Sequence, residues 1–416
     1  MNKLMDFLEK KFAPAMNKIN HNIWITTIKD SVMQILPFIL LGSVFCVGAI
    51  LENYVSLPFS FWTPFGWTMG MISILISFLI PLNFCEKKRI RKQRLLAACS
   101  GLILFLISVT PETIAEGYIG YVSSTLGAGG MFCAIITGII TSVVFNVFSK
   151  FSFFKEDSVI PDFVRQWFDS LLPILVVVFG GFIIVQVLNI NLYAIITAAF
   201  TPLMDTYNKW YGFILINFIG VFIYSMGISS WCLTPVTTPA MLANTAANLA
   251  LVAAGNATIA NMSIYTTTFT STTYMYIGGL ACTLPLVILM MTVCKSRQLK
   301  SLGKACLVPG IFNINEPVVF GAIAWNPIMM IPMWIIGLVV PTLAWIAAKV
   351  VGIIPIPQIQ FEVWYTPYPI CTWIATQGSI AAILFVLALF VLTLVIWFPF
   401  VKLYDKQLLG EEANNK

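Results

Sequence analysis

Histidine is almost missing from this chain: His21 is the single one among 416 residues. An imidazole-based metal centre therefore has nothing to build on. Charge is equally scarce, at 10% Asp, Glu, Lys and Arg, against roughly 25% in soluble domains. With 59% hydrophobic residues, nearly all of the length must lie in a membrane rather than in several soluble domains. Paired cysteines are absent too. The nine cysteines stand singly, among them Cys46, Cys133, Cys282 and Cys294 inside apolar runs. An odd count without metal-ligand spacing argues against a disulfide framework and a zinc site. No zinc motif and no Gly-x-Ser-x-Gly elbow is present, which sets an intramembrane hydrolase aside. The first twenty residues have no apolar core segment, so no cleavable leader is expected. The net charge of +6 is not a nucleic-acid footprint, because the basic residues sit between apolar runs. No metal, cofactor or nucleic-acid partner is expected.

What is there is a series of uncharged runs of spanning length, beginning with residues 31–51 and 53–85. After them comes EKKRIRKQR at Glu86–Arg94, the densest basic cluster. By the positive-inside rule this loop is cytoplasmic, and so is the N-terminus. Residues 95–111 then run outward to a loop with Glu112 and Glu116 but no lysine or arginine, and 117–149 return after Gly127-Ala128-Gly129-Gly130. Residues 170–204 hold a long span and a re-entry, broken at Asn189-Ile190-Asn191. Further spans are expected at 276–294, 326–348 and 380–401. Counting broken segments, hydropathy and charge give about ten spans with both termini inside. Leu4, Leu8 and Phe12 share one face of an amphipathic stretch over 3–20, which fits a helix lying on the membrane surface. The lipid bilayer is thus the chain's first partner.

The one polar knot in the apolar C-terminal half is Asn313-Ile314-Asn315-Glu316-Pro317, within PGIFNINEPVVFG at 309–321. Glu316 is the only charged residue between Lys304 and Lys349. A carboxylate at membrane depth is expensive, and such residues face a wet cavity or a partner. Pro317 is expected to push Glu316 out of helical geometry. With Pro309, Gly310 and Gly321, this predicts a re-entrant hairpin or broken helix, which at membrane depth must line a cavity or be buried in protein. A second polar region, 229–273, is rich in Ser, Thr and Asn without charge. It is either exposed outside the membrane or lines a hydrated cavity. Trp364 and Tyr365 supply either a stacking face for a solute or an interfacial anchor.

The 309–321 stretch resembles the signature of the enzyme IIC sugar carriers of the bacterial phosphotransferase system, in the lactose/cellobiose/chitobiose family. NKLMDFLEKKFAPAMNKI at 2–19, IPDFVRQWFDSLLP at 160–173, Asn326-Pro327 and FVKLYDKQ at 400–407 are similar as well. The resemblance covers essentially the whole chain. It implies an all-α polytopic fold of the enzyme IIC glucose-superfamily type, with re-entrant hairpins and amphipathic surface helices. It divides the chain into a scaffold and dimerisation bundle at 1–170, a transport domain at 171–401 and a cytoplasmic tail at 402–416. It also implies a homodimer in the bacterial inner membrane and an elevator movement of the second half. The sugar, in the first instance a β-linked disaccharide such as cellobiose, is phosphorylated by a separate IIB protein fed by IIA.

The resemblance places the sugar site after Gly227, so Ser229, Ser230, Trp231 and Asn244 are candidate contacts. They join Glu316, Asn313, Asn315, Trp364 and Tyr365, with Glu316 also the candidate catalytic group. A carboxylate gives strong charge-assisted bonds to sugar hydroxyls, and amides both donate and accept. Two departures stand out. Gly227-Ile228-Ser229-Ser230 replaces the relatives' Gly-Ile-His-Gly, removing a histidine, and Gly278-Gly279-Leu280-Ala281 replaces Gly-Gly-Ser-Gly. The first leaves open a transporter or sensor that binds sugar without supporting its phosphorylation.

Overall fold

The computed structural model describes residues 21–52, 57–154, 161–228 and 230–414. The surface helix expected over 3–20 lies outside these residues, as does Ser229. The first half is a bundle of α1 (Ile23–Leu51), α2 (Ile72–Lys87), α3 (Arg94–Ser108) and α4 (Met131–Phe148). Val32, Ile35, Ile72, Ile76, Phe105 and Met131 share its main buried cluster. Close helix approach depends on small residues: a Cβ on Gly101 would lie 2.6 Å from the Ser77 carbonyl oxygen. Between α3 and α4, where the sequence suggests only a loop, the chain forms an antiparallel ribbon of β1 (Glu112–Ala115) and β2 (Tyr118–Gly120). Gly117, with φ +81°, supplies the turn, and β-prone Ile114, Tyr118 and Ile119 the strands.

α5 (Asp162–Phe182) runs unbroken through position 170. Its Val177 packs with Cys85, Ala97, Leu104 and Phe145 of the first bundle. The interruption comes later, where the sequence places it. After a π-helical turn at Ile183–Val187, Asn189 takes a left-handed φ of +52°. The Asn191 side chain then caps α6 (Leu192–Tyr207) by accepting from the Ala194 N–H.

The second half comprises α7 (Trp210–Ser225), α8 (Thr234–Ala253), α9 (Leu284–Thr292), α10 (Arg297–Ile311), α11 (Pro327–Trp345) and α12 (Ile380–Asn414). Phe213, Val221, Phe269, Leu286, Met333 and Trp397 belong to its common core. One expected span is corrected. Over 276–294 only the nine residues of α9 are helical, about 14 Å at 1.5 Å per residue. The turns before it, with left-handed backbone at Gly278, Gly279, Ala281 and Cys282, keep residues 276–283 out of helix, so α9 is a half-span that pairs with α10 as a helical hairpin. The Thr-rich region is partly self-satisfied. In the π-helical stretch Thr268–Tyr274, the Thr270, Ser271 and Thr273 hydroxyls donate to carbonyls four or five residues back, which lets polar sequence be buried without solvent. Helices such as Ala128–Phe148, Pro327–Val350 and Ile380–Ala413 are long and apolar enough to cross a membrane. The chain is an all-helical polytopic membrane protein.

Candidate functional site

Three breaks in helical structure meet α7 and α8 around a cavity of about 220 Å³. The first is the end of α10. Asn313 closes it in a left-handed conformation, φ +61°, which asparagine tolerates better than most residues. Its side chain then makes three bonds. Oδ1 accepts from the Gly278 N–H at 2.9 Å, and Nδ2 donates to the Trp364 and Thr366 carbonyls at 2.8 and 2.9 Å. Asn315 ties the same segments from the other side. Its Nδ2 donates to the Leu280 carbonyl at 2.8 Å, and its Oδ1 accepts from the Tyr224 hydroxyl of α7 at 3.2 Å. Both asparagines line the cavity, yet most of their capacity is used by the protein itself.

The glycine turn at 278–279 permits this closeness. Gly279 has φ +102°, and a Cβ there would sit 2.4 Å from Asn315 Cγ. Leu280, where the resemblance has a serine, contributes its carbonyl to Asn315 and its side chain to the wall. Glu316 opens the next helical turn, Glu316–Val318. The expectation that Pro317 forces it out of helix is therefore corrected: in a first turn the missing proline N–H has no partner to lose. Glu316 is half-buried on the cavity wall, and among the described residues its carboxylate takes no hydrogen bond.

The third break carries a residue that the sequence reading passed over. Glu362 lines the same cavity and is 4% exposed. Its segment is pinned by the Phe361 N–H donating to Thr268 Oγ1 and by the Trp364 N–H donating to the Glu362 carbonyl. Burial pushes its carboxyl up to about 7, while bonds from Thr267 and Gln360 pull the other way. The signal was available: Glu362 is the only charged residue between Lys349 and Lys402, the criterion that singled out Glu316. Tyr224 and Tyr276 are further wall residues found only by the fold, and Thr237 and Thr267 come from the polar region 229–273.

Of the other expected contacts, Trp364 and Ser230 line the cavity. Tyr365 does not; it stands edge-on to Trp364, with ring centroids 5.7 Å apart, and is 37% exposed. Asn244 is buried behind the wall and donates to the Tyr265 carbonyl at 2.9 Å. Ser229 and the Trp231 side chain lie outside the described residues.

Comparison with known proteins bears on this cavity. The family described as Phosphotransferase system, EIIC matches residues 29–337. The lactose-specific EIICB component of the phosphotransferase system from Staphylococcus haemolyticus is 29% identical, over all of this chain and 73% of its own length. The lactose-specific EIICB component from Streptococcus mutans is 27% identical over all of this chain and 75% of its length. A solved structure, the transporter ChbC, the IIC component of the N,N'-diacetylchitobiose-specific phosphotransferase system, superposes with a TM-score of 0.85. It is 25% identical, and the match covers 98% of this chain and 99% of that one.

Proposed function

Since this chain belongs to the phosphotransferase system EIIC family and is a IIC sugar permease, we propose that it binds a β-linked disaccharide in the cavity walled by Glu316. A IIC component works with IIA and IIB partners, and here we take IIB to be a separate protein. The observation that carries the reading is the Glu316 carboxylate, half-buried among neutral polar side chains and not hydrogen-bonded by any described residue. Such an acceptor is matched by the hydroxyls of one sugar ring, with Trp364 offering a stacking face. At about 220 Å³ the cavity encloses one ring, and the second lies toward the open side. Cellobiose, lactose and N,N'-diacetylchitobiose share the β-linkage; the last two are what the similar proteins' names specify.

In this reading Asn313 and Asn315 hold the wall while Glu316, Ser230 and Trp364 meet the sugar. Ser229, next to Ser230 in the chain, is kept as a contact. We take the first bundle as scaffold and homodimer base and the second half as the part that moves as an elevator, with both termini cytoplasmic in the bacterial inner membrane. A second reading, binding without phosphorylation, follows from serine at 229 where the resemblance has histidine. Positioned general-base help is worth roughly 10²–10⁴-fold, and serine has no useful proton affinity at neutral pH, so the carboxylates on the cavity wall, Glu316 and Glu362, are left as bases.

One experiment addresses both. Purified protein and its Glu316→Gln variant are compared for disaccharide binding, then for sugar-phosphate formation with a phosphorylated IIB protein. We expect binding to be lost in the variant while the fold persists. Unchanged affinity removes Glu316 from the site, and fast phosphorylation by the unmodified chain removes the second reading.

A further inference from the structure

Behind the Leu280 side chain lies a second, blind void of about 10 Å³ between α7 and α11. That is room for one water at most, and Val221, Met275, Ile336 and Val340 make its walls largely apolar. The two helices are already in close contact beside it: a Cβ on Gly337 would lie 2.9 Å from Val221 Cγ1. Asn217, Tyr276 and Leu280 line both this void and the main cavity. These three side chains are the partition between them.

Leu280 is held in place from both sides. Its own carbonyl accepts from Asn315 Nδ2, the Gly278 N–H donates to Asn313 Oδ1, and the Cys282 carbonyl accepts from Trp397 Nε1 at 3.1 Å. The turn therefore presents a branched apolar side chain at a fixed depth. Leu280 Cδ2 lies against α7, 4.0 Å from where a Cβ on Gly220 would stand. The other two members of the partition are polar. Asn217 is 6% exposed, its Nδ2 donates to the Phe213 carbonyl at 2.8 Å, and its Oδ1 has no hydrogen-bond partner among the described residues. Tyr276 adds a phenol, which both donates and accepts.

We propose that Leu280 is a specificity-determining residue: it stops the cavity at the depth of a ring hydroxyl and so excludes disaccharides that carry an acetamido group there. The inference deepens the disaccharide reading and rests on it. A ring edge that reaches Glu316 also meets Leu280, because Asn315, the chain neighbour of Glu316, holds the Leu280 carbonyl. A hydroxyl on that edge fits in front of the partition and donates to Asn217 Oδ1. An acetamido group brings an acetyl that the void behind is too small to take, and forcing it into a packed wall displaces side chains. The stop is a feature of this chain, which has leucine where the resemblance has serine.

The test uses cellobiose and N,N'-diacetylchitobiose, which share one β-linked skeleton and differ in carrying hydroxyl or acetamido groups. Both are measured by calorimetry on the full-length protein in detergent, unmodified and as Leu280→Ala and Leu280→Val. We expect the unmodified protein to bind cellobiose about tenfold or more tightly than the diacetyl sugar, the range over which a pocket rejects a group that does not fit. Leu280→Ala joins the void to the cavity and should bring the ratio near one, chiefly by raising affinity for the diacetyl sugar. Leu280→Val should fall between, and it carries the comparison should the alanine variant fail to fold. Equal affinities, a preference for the diacetyl sugar, or a ratio unchanged in the variants overturns the proposal. If Glu316→Gln abolishes binding while both sugars bind the unmodified protein equally, only this inference falls; if neither sugar binds, the disaccharide site falls with it.

Discussion

At the scale of single residues, Asn313 shows how a polar side chain inside a membrane protein can organise rather than bind. Its left-handed backbone ends α10, and its amide bridges the Gly278 turn and the Trp364–Thr366 segment. Truncating it leaves an N–H and two carbonyls without their partner. Unsatisfied buried groups cost about 1–3 kcal/mol each, less whatever relaxation recovers. Asn313→Ala should therefore lower stability by about 2–3 kcal/mol and weaken sugar binding by loosening Trp364. Asn313→Asp, which sets a carboxylate oxygen against the Trp364 and Thr366 carbonyls, should cost at least as much. Thermal melting in detergent checks this, and a shift no larger than that of a surface substitution would show that the wall is held by other contacts.

Among the elements, the α9–α10 hairpin has the most specific support. The N-terminus of α10 exposes backbone N–H groups that need acceptors, and the C-terminal end of α12 brings them. Asp405 accepts from the Lys295 and Ser296 N–H groups at 2.9 and 2.8 Å, and Glu412 accepts from the Ser296 hydroxyl at 2.7 Å. Negative charge at a helix N-terminus adds to the effect. Removing the carboxylate in Asp405→Ala should cost about 2–3 kcal/mol and speed hydrogen exchange over residues 293–300. Asp405→Asn should be milder. Exchange that accelerates uniformly across the chain, rather than at this turn, would argue against a local clasp. Because α10 ends at the Asn313 break, the same clasp steadies one side of the cavity.

For the molecule as a whole, the buried residues form a cluster centred on Ile35, Ile76 and Phe105 of the first bundle, which also takes in Leu242 of α8, and a larger one that runs from Phe132 of α4 to Leu408. α5 packs on the first bundle through Val177, and the chain breaks at Asn189 only after it. We propose that the basic Glu86–Arg94 loop faces the cytoplasm; within it Lys87 pairs with Asp30 and Arg94 with Glu86. A cysteine introduced at Lys88, in a background where exposed Cys99 is serine, should react only with reagents that enter the cytoplasm. Labelling from outside intact cells would reverse the topology.

The sequence by itself determined the membrane class, the position of the knot at Glu316 and the break at Asn189. These depend on local quantities: apolar run length, isolated charge, and residues that disfavour helix. The tertiary structure decided what those residues do. The partners of Asn313 lie 35 and 51 residues away in the chain, and no local rule says whether an amide meets a sugar or a backbone carbonyl. Asn244 and Tyr365 share residue chemistry with true wall residues and are excluded only by where α8 and the 362–366 segment direct them. Glu362 could be counted from the sequence, but only packing sets it on the same wall as Glu316. The shortness of α9 was hidden for a similar reason, since hydropathy registers apolar residues whether they are helical or folded into a turn. A side chain's role follows from which groups satisfy it, and long-range contacts fix that.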